Sequence, residues 1–215
     1  MLDGYSAPLF ILGITGALVA IRLGYWRGRS AAWYVDAVLV FSIIILGAFF
    51  EFVMGRVVIC QCGYIKLWQG VVASAENSQH ISDWYTFSHV IHGFGFYALL
   101  WLFARRIPIR VRLAIATAFE VAWEVFENTP MVINRYREVT ISWGYYGDSI
   151  LNSTFDVLAM IFGFWLVSRM PVWLTIALTV IMEVGVAYFI RDNLTLNIIM
   201  LVYPAQAILR WQAGG

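Results

Sequence analysis

Six stretches of nearly continuous apolar sequence, near 6–23, 35–54, 87–104, 111–129, 149–168 and 171–190, set what this chain can fold into. Each is close to the roughly 20 residues that a helix needs to cross the hydrocarbon core of a bilayer. Backbone groups in lipid find no water, so such runs become helices that satisfy their own amides and carbonyls. Composition agrees: 61% of the 215 residues are hydrophobic and 13% are charged, about half the roughly 25% charge of a soluble domain. A seventh apolar run, about 194–209, is short and contains Pro204, so it either crosses or lies in the interface. The expected fold is an all-α polytopic membrane helix bundle with six or seven transmembrane spans, one domain over residues 1–215. A net charge of +1 argues against a nucleic-acid partner.

The first run has Asp3 before it and Arg22, Arg27 and Arg29 after it. A cleavable signal has the opposite polarity, so this run is expected to stay as a first helix with its N-terminus outside. Basic residues then orient the rest. The segments after spans one, three and five hold Arg22, Arg27, Arg29, Arg105, Arg106, Arg110, Arg112 and Arg169 without an acid. The other set mixes Arg56, Lys66, Arg135, Arg137 and Arg191 with Glu76, Asp83, Glu138, Asp148 and Asp192. The expectation is a multi-pass protein of a bacterial inner membrane, with the 55–86 and 130–148 loops outside.

Polar residues in the spans fall on stripes. His89 and His92 are three apart and share a helix face. Glu120, Glu124 and Glu127 lie within roughly 60° of one another at 100° per residue. Asp148, Asn152 and Asp156 are four apart and again share a face. All three stripes sit at the outer end. An acid at the bilayer centre costs about 2.5–3.5 kcal/mol on insertion scales, so three on one helix turn to the bundle interior, a water-filled cavity, a metal or a basic partner.

His, Glu and Asp on neighbouring helices suit zinc, manganese or iron. The expected metal ligands are His89, His92, Glu120 and Glu124. Glu124, Glu127 and Asp156 are the candidate general acids and bases, and Arg135, Arg137, Asp148 and Asn152 the candidate substrate contacts, the arginines toward an anionic head group. Asp148 and Asp156 are two turns apart, roughly 12 Å along the axis, so each is expected to pair with a glutamate of span four rather than with the other. Asp148 is also a natural N-cap for span five. Trp84, Tyr85, Tyr136, Trp143, Tyr145 and Tyr146 read as an interfacial aromatic belt. Glu183 stands alone in span six, as a helix–helix hydrogen bond or a further member of the cluster. Glu51 and Arg56 pair loosely or join the cluster. For Cys60 and Cys62, in "CQC", metal ligation, redox chemistry and a mutual disulfide are all open. No nucleophile-elbow motif is present.

The motifs "CQCGYIKLW", "NSQHISDWY", "SHVIHG", "EVAWEVFENTP", "RYREVT", "GDSILNSTFD" and "RDNLTLNIIM" together resemble an uncharacterised proteobacterial integral-membrane family, a domain of unknown function, from about residue 55 to the C-terminus. That resemblance brings no catalytic assignment. Fainter likenesses are to VanZ-like membrane proteins, which pair acidic and Asn positions on adjacent helices, and to lipoprotein signal peptidase, of whose site Asn152 and Asp156 give only the N-x-x-x-D fragment. The leading expectation is a metal-assisted hydrolase or transferase acting on a lipid or lipid-linked substrate at the periplasmic face. The alternative is a non-enzymatic protein, either an ion- or proton-coupled transport unit or a structural or assembly factor.

Overall fold

A computed structural model describes residues 6–25, 32–141 and 144–214; Asp3, Arg27, Arg29 and Trp143 lie outside the described residues. Among those described, all regular secondary structure is helical, apart from one isolated bridge between Gln69 and Asp83 in the non-helical segment between the second and third helices. The helices are α1 (Ser6–Tyr25), α2 (Trp33–Val53), α3 (Thr86–Ala104), α4 (Ile109–Glu127), α5 (Pro130–Val139), α6 (Ile150–Val167), α7 (Val172–Ile190), α8 (Leu194–Val202) and α9 (Gln206–Gln212). Five of them, α1, α2, α3, α6 and α7, are long and apolar enough to cross a membrane. Their outward residues, such as Leu9, Phe41, Phe103 and Val180, are exposed, as lipid contact requires and water would penalise.

Helix α4 has the length of a span but carries Arg110, Arg112, Glu120, Glu124 and Glu127. It tolerates them because it is the central helix, packed against α1, α2, α3 and α6. Small residues let the neighbours close on it. Ala114, Ala118 and Ala122 join Ala7 and Ile11 of α1 and Ile43 and Phe50 of α2 in the main apolar cluster. A Cβ on Gly47 of α2 would run into Val121 of α4. Helices α3 and α6 touch through Gly93 and Gly163, whose missing side chains leave room only for the opposite backbone. Helix α7 packs on α3 alone among the strongly contacting pairs, and Val186 is its one buried residue, the rest being half-buried or exposed.

The seventh apolar run does not form one helix. It breaks at Tyr203–Pro204 into α8, nine residues, and α9, seven residues. At 1.5 Å per residue neither approaches the length of a span. Proline cannot continue the helix, and the residue before it is pushed to extended backbone; Tyr203 has φ −141° and ψ 94°.

The end opposite the acidic stripes carries a buried ion pair: Arg22 Nε donates to Asp36 Oδ1 at 2.7 Å, joining α1 to α2. The basic count used for orientation therefore includes one neutralised residue. Arg112 is likewise no loop residue; it is buried in α4 with its guanidinium 5.7 Å from the Tyr97 ring centre.

Candidate metal and substrate site

The three stripes meet. His89 and His92, in the first turns of α3, face Glu120 in the second half of α4. His89 Nδ1 lies 2.7 Å from Glu120 Oε1, and His92 Nδ1 lies 3.0 Å from the same oxygen and 3.1 Å from Oε2. One atom from each of the three residues falls within 4.8 Å of the others. His89 Nδ1 is also 3.3 Å from Glu124 Oε1, and its Nε2 is 3.8 Å from Asp156 Oδ2 on α6. Glu120 and Glu124 are fully buried. Glu124 Oε1 has no hydrogen-bond partner, a costly state for a buried carboxylate oxygen unless something else coordinates it. The close approach of α3 to α6 at Gly93 sets the depth at which the two imidazoles meet α4.

This cluster floors a cavity of about 400 Å³. One wall is polar: Glu120, Glu127, Asp148 and Asp156 all line it. The other is apolar, with Phe96 of α3, Phe119 of α4, and Leu194, Ile198 and Leu201 of α8. Phe119 and Ile198 are about half exposed on the outer surface, so the apolar wall continues out to the flank of the bundle.

Asp148 sits before α6, but it is not the N-cap. Ser149 is, its side chain accepting from Asn152 N at 3.1 Å. Asp148 is instead fixed by Asn128, which receives the Asp148 amide on Oδ1 (2.7 Å) and donates Nδ2 to its carboxylate (3.0 Å). Tyr145 donates to the other carboxylate oxygen at 3.1 Å. Burial, with Asp83 nearby, pushes the Asp148 carboxyl up to about 6. Neither Asp148 nor Asp156 hydrogen-bonds a glutamate of α4; Asp156 accepts from Thr86 at 3.2 Å.

Other residues read from the sequence are placed elsewhere. Asn152 is buried but donates to His80 O at 2.8 Å and does not line the cavity. Arg135 donates to the Leu201 carbonyl at 3.1 Å, which ties α5 to the end of α8; neither it nor exposed Arg137 lines the cavity. Glu183 is neither in the cluster nor bonded to another spanning helix. Its oxygens accept from Leu194 N (3.1 Å) and Thr195 N (3.0 Å), the orphan amides that open α8. Arg56 and Glu51 form no direct side-chain ion pair, though the Arg56 amide donates to the Glu51 carbonyl at 2.9 Å; the guanidinium binds the carbonyls of Tyr146 and Asp148 at 2.5 and 3.2 Å. Glu51 is buried and hydrogen-bonded to Ser153. Cys60 and Cys62 are disulfide-bonded to each other. The belt reading also needs correction: Tyr85, Tyr136 and Tyr145 line the cavity, and burial raises the phenols of Tyr136 and Tyr145 well above their ordinary value.

Two groups at the site carry no helical stripe in the sequence, although the first lies in the motif "NSQHISDWY", whose His80 stands as a candidate partner of the acids, and the second in "RDNLTLNIIM". Asn77 to His80 are buried as a plug beside the start of α6: Ser149 N donates to Ser78 O, and Gln79 Nε2 to Gly147 O at 2.7 Å. Asn77 and Ser78 reach the cavity. Asn197 of α8 lines it from the other side. The plug residues stand in an aperiodic loop and Asn197 in a run broken by proline, so periodicity gives no sign of either.

A family described as "Protein of unknown function (DUF2585)" matches residues 51–214. A UPF0314 protein of Sinorhizobium fredii is 52% identical over 91% of this chain and all of its own length. One of Rhizobium meliloti is 56% identical over 86% of this chain and 93% of its own, and one of Paracoccus denitrificans 50% identical over 92% and 100%. No solved structure matches.

Proposed function

For this chain, which belongs to the DUF2585 family of proteins of unknown function, we propose a metal-assisted hydrolase or transferase acting on a lipid or lipid-linked substrate at the periplasmic face of a bacterial inner membrane. In this reading six helices cross, α4 being the sixth span, and the N-terminus is outside. The observation that carries it is the convergence of His89, His92 and Glu120 beneath a cavity whose other wall is apolar. The set is two imidazoles and a carboxylate, with Glu124 Oε1 beside it, 3.3 Å from His89 Nδ1 but accepting no hydrogen bond. Such donors suit zinc, manganese or iron, and a divalent ion held there would supply Lewis acidity. Glu124 then stands within reach as a general base or fourth ligand, Asp156 steadies His89 from α6, and Glu127 lies at the cavity wall as a second acid. The apolar wall takes an acyl or polyprenyl chain and the polar wall its linkage. Arg135 and Arg137, beyond the cavity on α5, would draw an anionic lipid surface to the rim.

The transport alternative calls for a polar track onward through the bundle. Beneath His92 and Glu120 lie Ala116, Met160 and Phe164, packed with Phe96, Tyr97 and Leu113 in a second apolar cluster, which favours a blind pocket and hence the enzyme.

Elemental analysis of the detergent-purified protein tests the reading. We expect about one equivalent of transition metal, as a single His₂-carboxylate site holds, lost in His92→Ala and in Glu120→Ala while the helical circular dichroism is kept. Wild-type protein without metal, or variants that retain it, would overturn the metal site. Lipid turnover followed by mass spectrometry in nanodiscs then separates enzyme from binder.

A further inference from the structure

Residues 54–85, between α2 and α3, carry the chain's two cysteines, Cys60 and Cys62, bonded to each other. That bond is poorly placed for a staple. The cysteines are two positions apart, and a crosslink restrains the unfolded chain more, the longer the loop it closes. Nor does it join a second element. Both cysteines stand in one turn, closed by Gly63 N donating to Cys60 O at 3.1 Å. The two sulfurs differ in setting. Cys60 is buried, and its Sγ receives the Cys62 amide at 3.1 Å. Cys62 is half-buried, between exposed Gln61 and exposed Gly63. A ring nitrogen of His80 lies within 4.8 Å of both sulfurs. That ring is fixed by Lys66 N donating to Nδ1 at 3.2 Å, by Glu76 Oε2 at 3.0 Å from Nε2, and by the Tyr64 ring stacked on it. Metal ligation there needs thiolates, and the disulfide leaves none.

We propose that Cys60–Cys62 is a thiol–disulfide exchange site that accepts electrons from a protein dithiol, attacked at Cys62 with Cys60 as the leaving group. Exchange goes to the sulfur that a thiolate can reach and expels the one whose anion is better stabilised. Access favours attack at Cys62, and the Cys62 N–H stabilises the anion on Cys60. The partner's first thiolate bonds to Cys62 Sγ, the Cys60–Cys62 bond breaks, and its electron pair goes to Cys60. The partner's second thiol, losing its proton, then attacks the partner sulfur of the mixed disulfide and expels Cys62. Two protons end on Cys60 and Cys62. The partner, oxidised by two electrons, leaves with the disulfide, and this chain keeps the dithiol. Val58, Ile59, Tyr64 and Ile65 are exposed around the turn, an apolar rim that a protein surface covers and a small hydrophilic thiol does not. The proposal depends on neither the metal nor the lipid reading.

The intact detergent-purified protein, incubated without denaturant, tests it. The first probe is excess reduced glutathione, quenched with acid and N-ethylmaleimide and mapped by peptide mass spectrometry. The disulfide is expected to open while the helical circular dichroism is kept, with glutathione on Cys62 about tenfold more often than on Cys60. A bond that opens only once denaturant unfolds the chain is a structural staple and overturns the proposal. Glutathione mainly on Cys60, or equally on both, overturns the assignment of attacked and leaving sulfurs. The second probe is thioredoxin without its resolving cysteine, which halts exchange at the mixed disulfide. Its capture on Cys62 is expected. No capture under conditions where glutathione reacts overturns the protein dithiol as partner. Every readout is on the wild-type chain, which holds no other cysteine to confuse the map.

Discussion

Gly93 faces the backbone of α6 so closely that a methyl group there would press into the Met160 carbonyl, and Gly163 does the same against Val90. This contact sets the height of His89 and His92, one turn below and one residue before Gly93, against the acids of α4. Gly93→Ala should therefore cost about 1–3 kcal/mol, the usual range for overpacking, and should lower metal content along with stability. Gly95, two residues on, meets nothing within 4 Å, so Gly95→Ala should leave stability unchanged or raise it by about 0.5–1 kcal/mol through helix propensity. Denaturant unfolding of the two variants checks the pair. A second residue-scale expectation concerns Glu76. Lys66 first, then His80 and Tyr64, hydrogen-bond its carboxylate and hold it down to about 2, below the ordinary 4.5. A depressed carboxylate stabilises the fold fully above its ordinary value, and the contribution fades as pH falls from about 4.5 through about 2. Glu76→Gln should loosen the 64–80 segment at neutral pH and abolish the acid-dependent part of its loosening. Hydrogen exchange of that segment at pH 7 and at lower pH measures both effects.

Helix α8 roofs the cavity, and three attachments hold it there. Glu183 and Asn193 satisfy the amides of its first turn, Arg135 takes the Leu201 carbonyl, and the Asp192 carboxylate gathers Tyr85, Asn197 and Gln212. Burial lifts the Asp192 carboxyl to about 6 even so. A nine-residue helix is marginal alone in water, so its order comes from these partners. Glu183→Ala should raise amide exchange across 194–202 by about tenfold, as the loss of roughly one hydrogen-bond equivalent implies, while α3 and α6 stay protected. Uniformly faster exchange would mean that Glu183 supports the whole bundle instead. The contrast between α8 and α4 also explains what the sequence makes legible. The stripes of α3, α4 and α6 follow the helix period, and the meeting of His89 and His92 with Glu120 follows from orientation and periodicity together. The roof and the plug do not. Tyr85 reaches Asp192 across 107 positions and Asn152 reaches His80 across 72, and such pairings leave no trace in local spacing. Capping erred for a related reason: Asp148 and Ser149 are both good caps, and only the distant Asn128, by claiming Asp148, leaves the task to Ser149.

For the molecule as a whole, the polar site and the roof lie at one end of the bundle, where α2, α4 and α7 finish and α3 and α6 begin. Arg105, Arg106, Arg110 and Arg169 cluster at the other, exposed or nearly so. Arg22 there is matched by Asp36, yet the remaining arginines still outnumber the acids. Charge asymmetry of this kind would hold the basic end in the cytoplasm and turn the cavity outward, the orientation that the proposed function requires. Counting α4 as a span gives an even number of crossings, with α8 and α9 too short to add another, so both termini share a face. Alkaline phosphatase fused after residue 214 should then be active, and green fluorescent protein fused there dark, because each folds on only one side of the membrane. A fluorescent C-terminal fusion would put the cavity on the cytoplasmic side, reverse the charge argument and remove the periplasmic substrate. Parity is tested apart from orientation by the same reporters placed at Ile107, between α3 and α4. Opposite outcomes at Ile107 and at the C-terminus require an odd number of crossings between them, which is what α4, α6 and α7 supply if the charged central helix spans the bilayer.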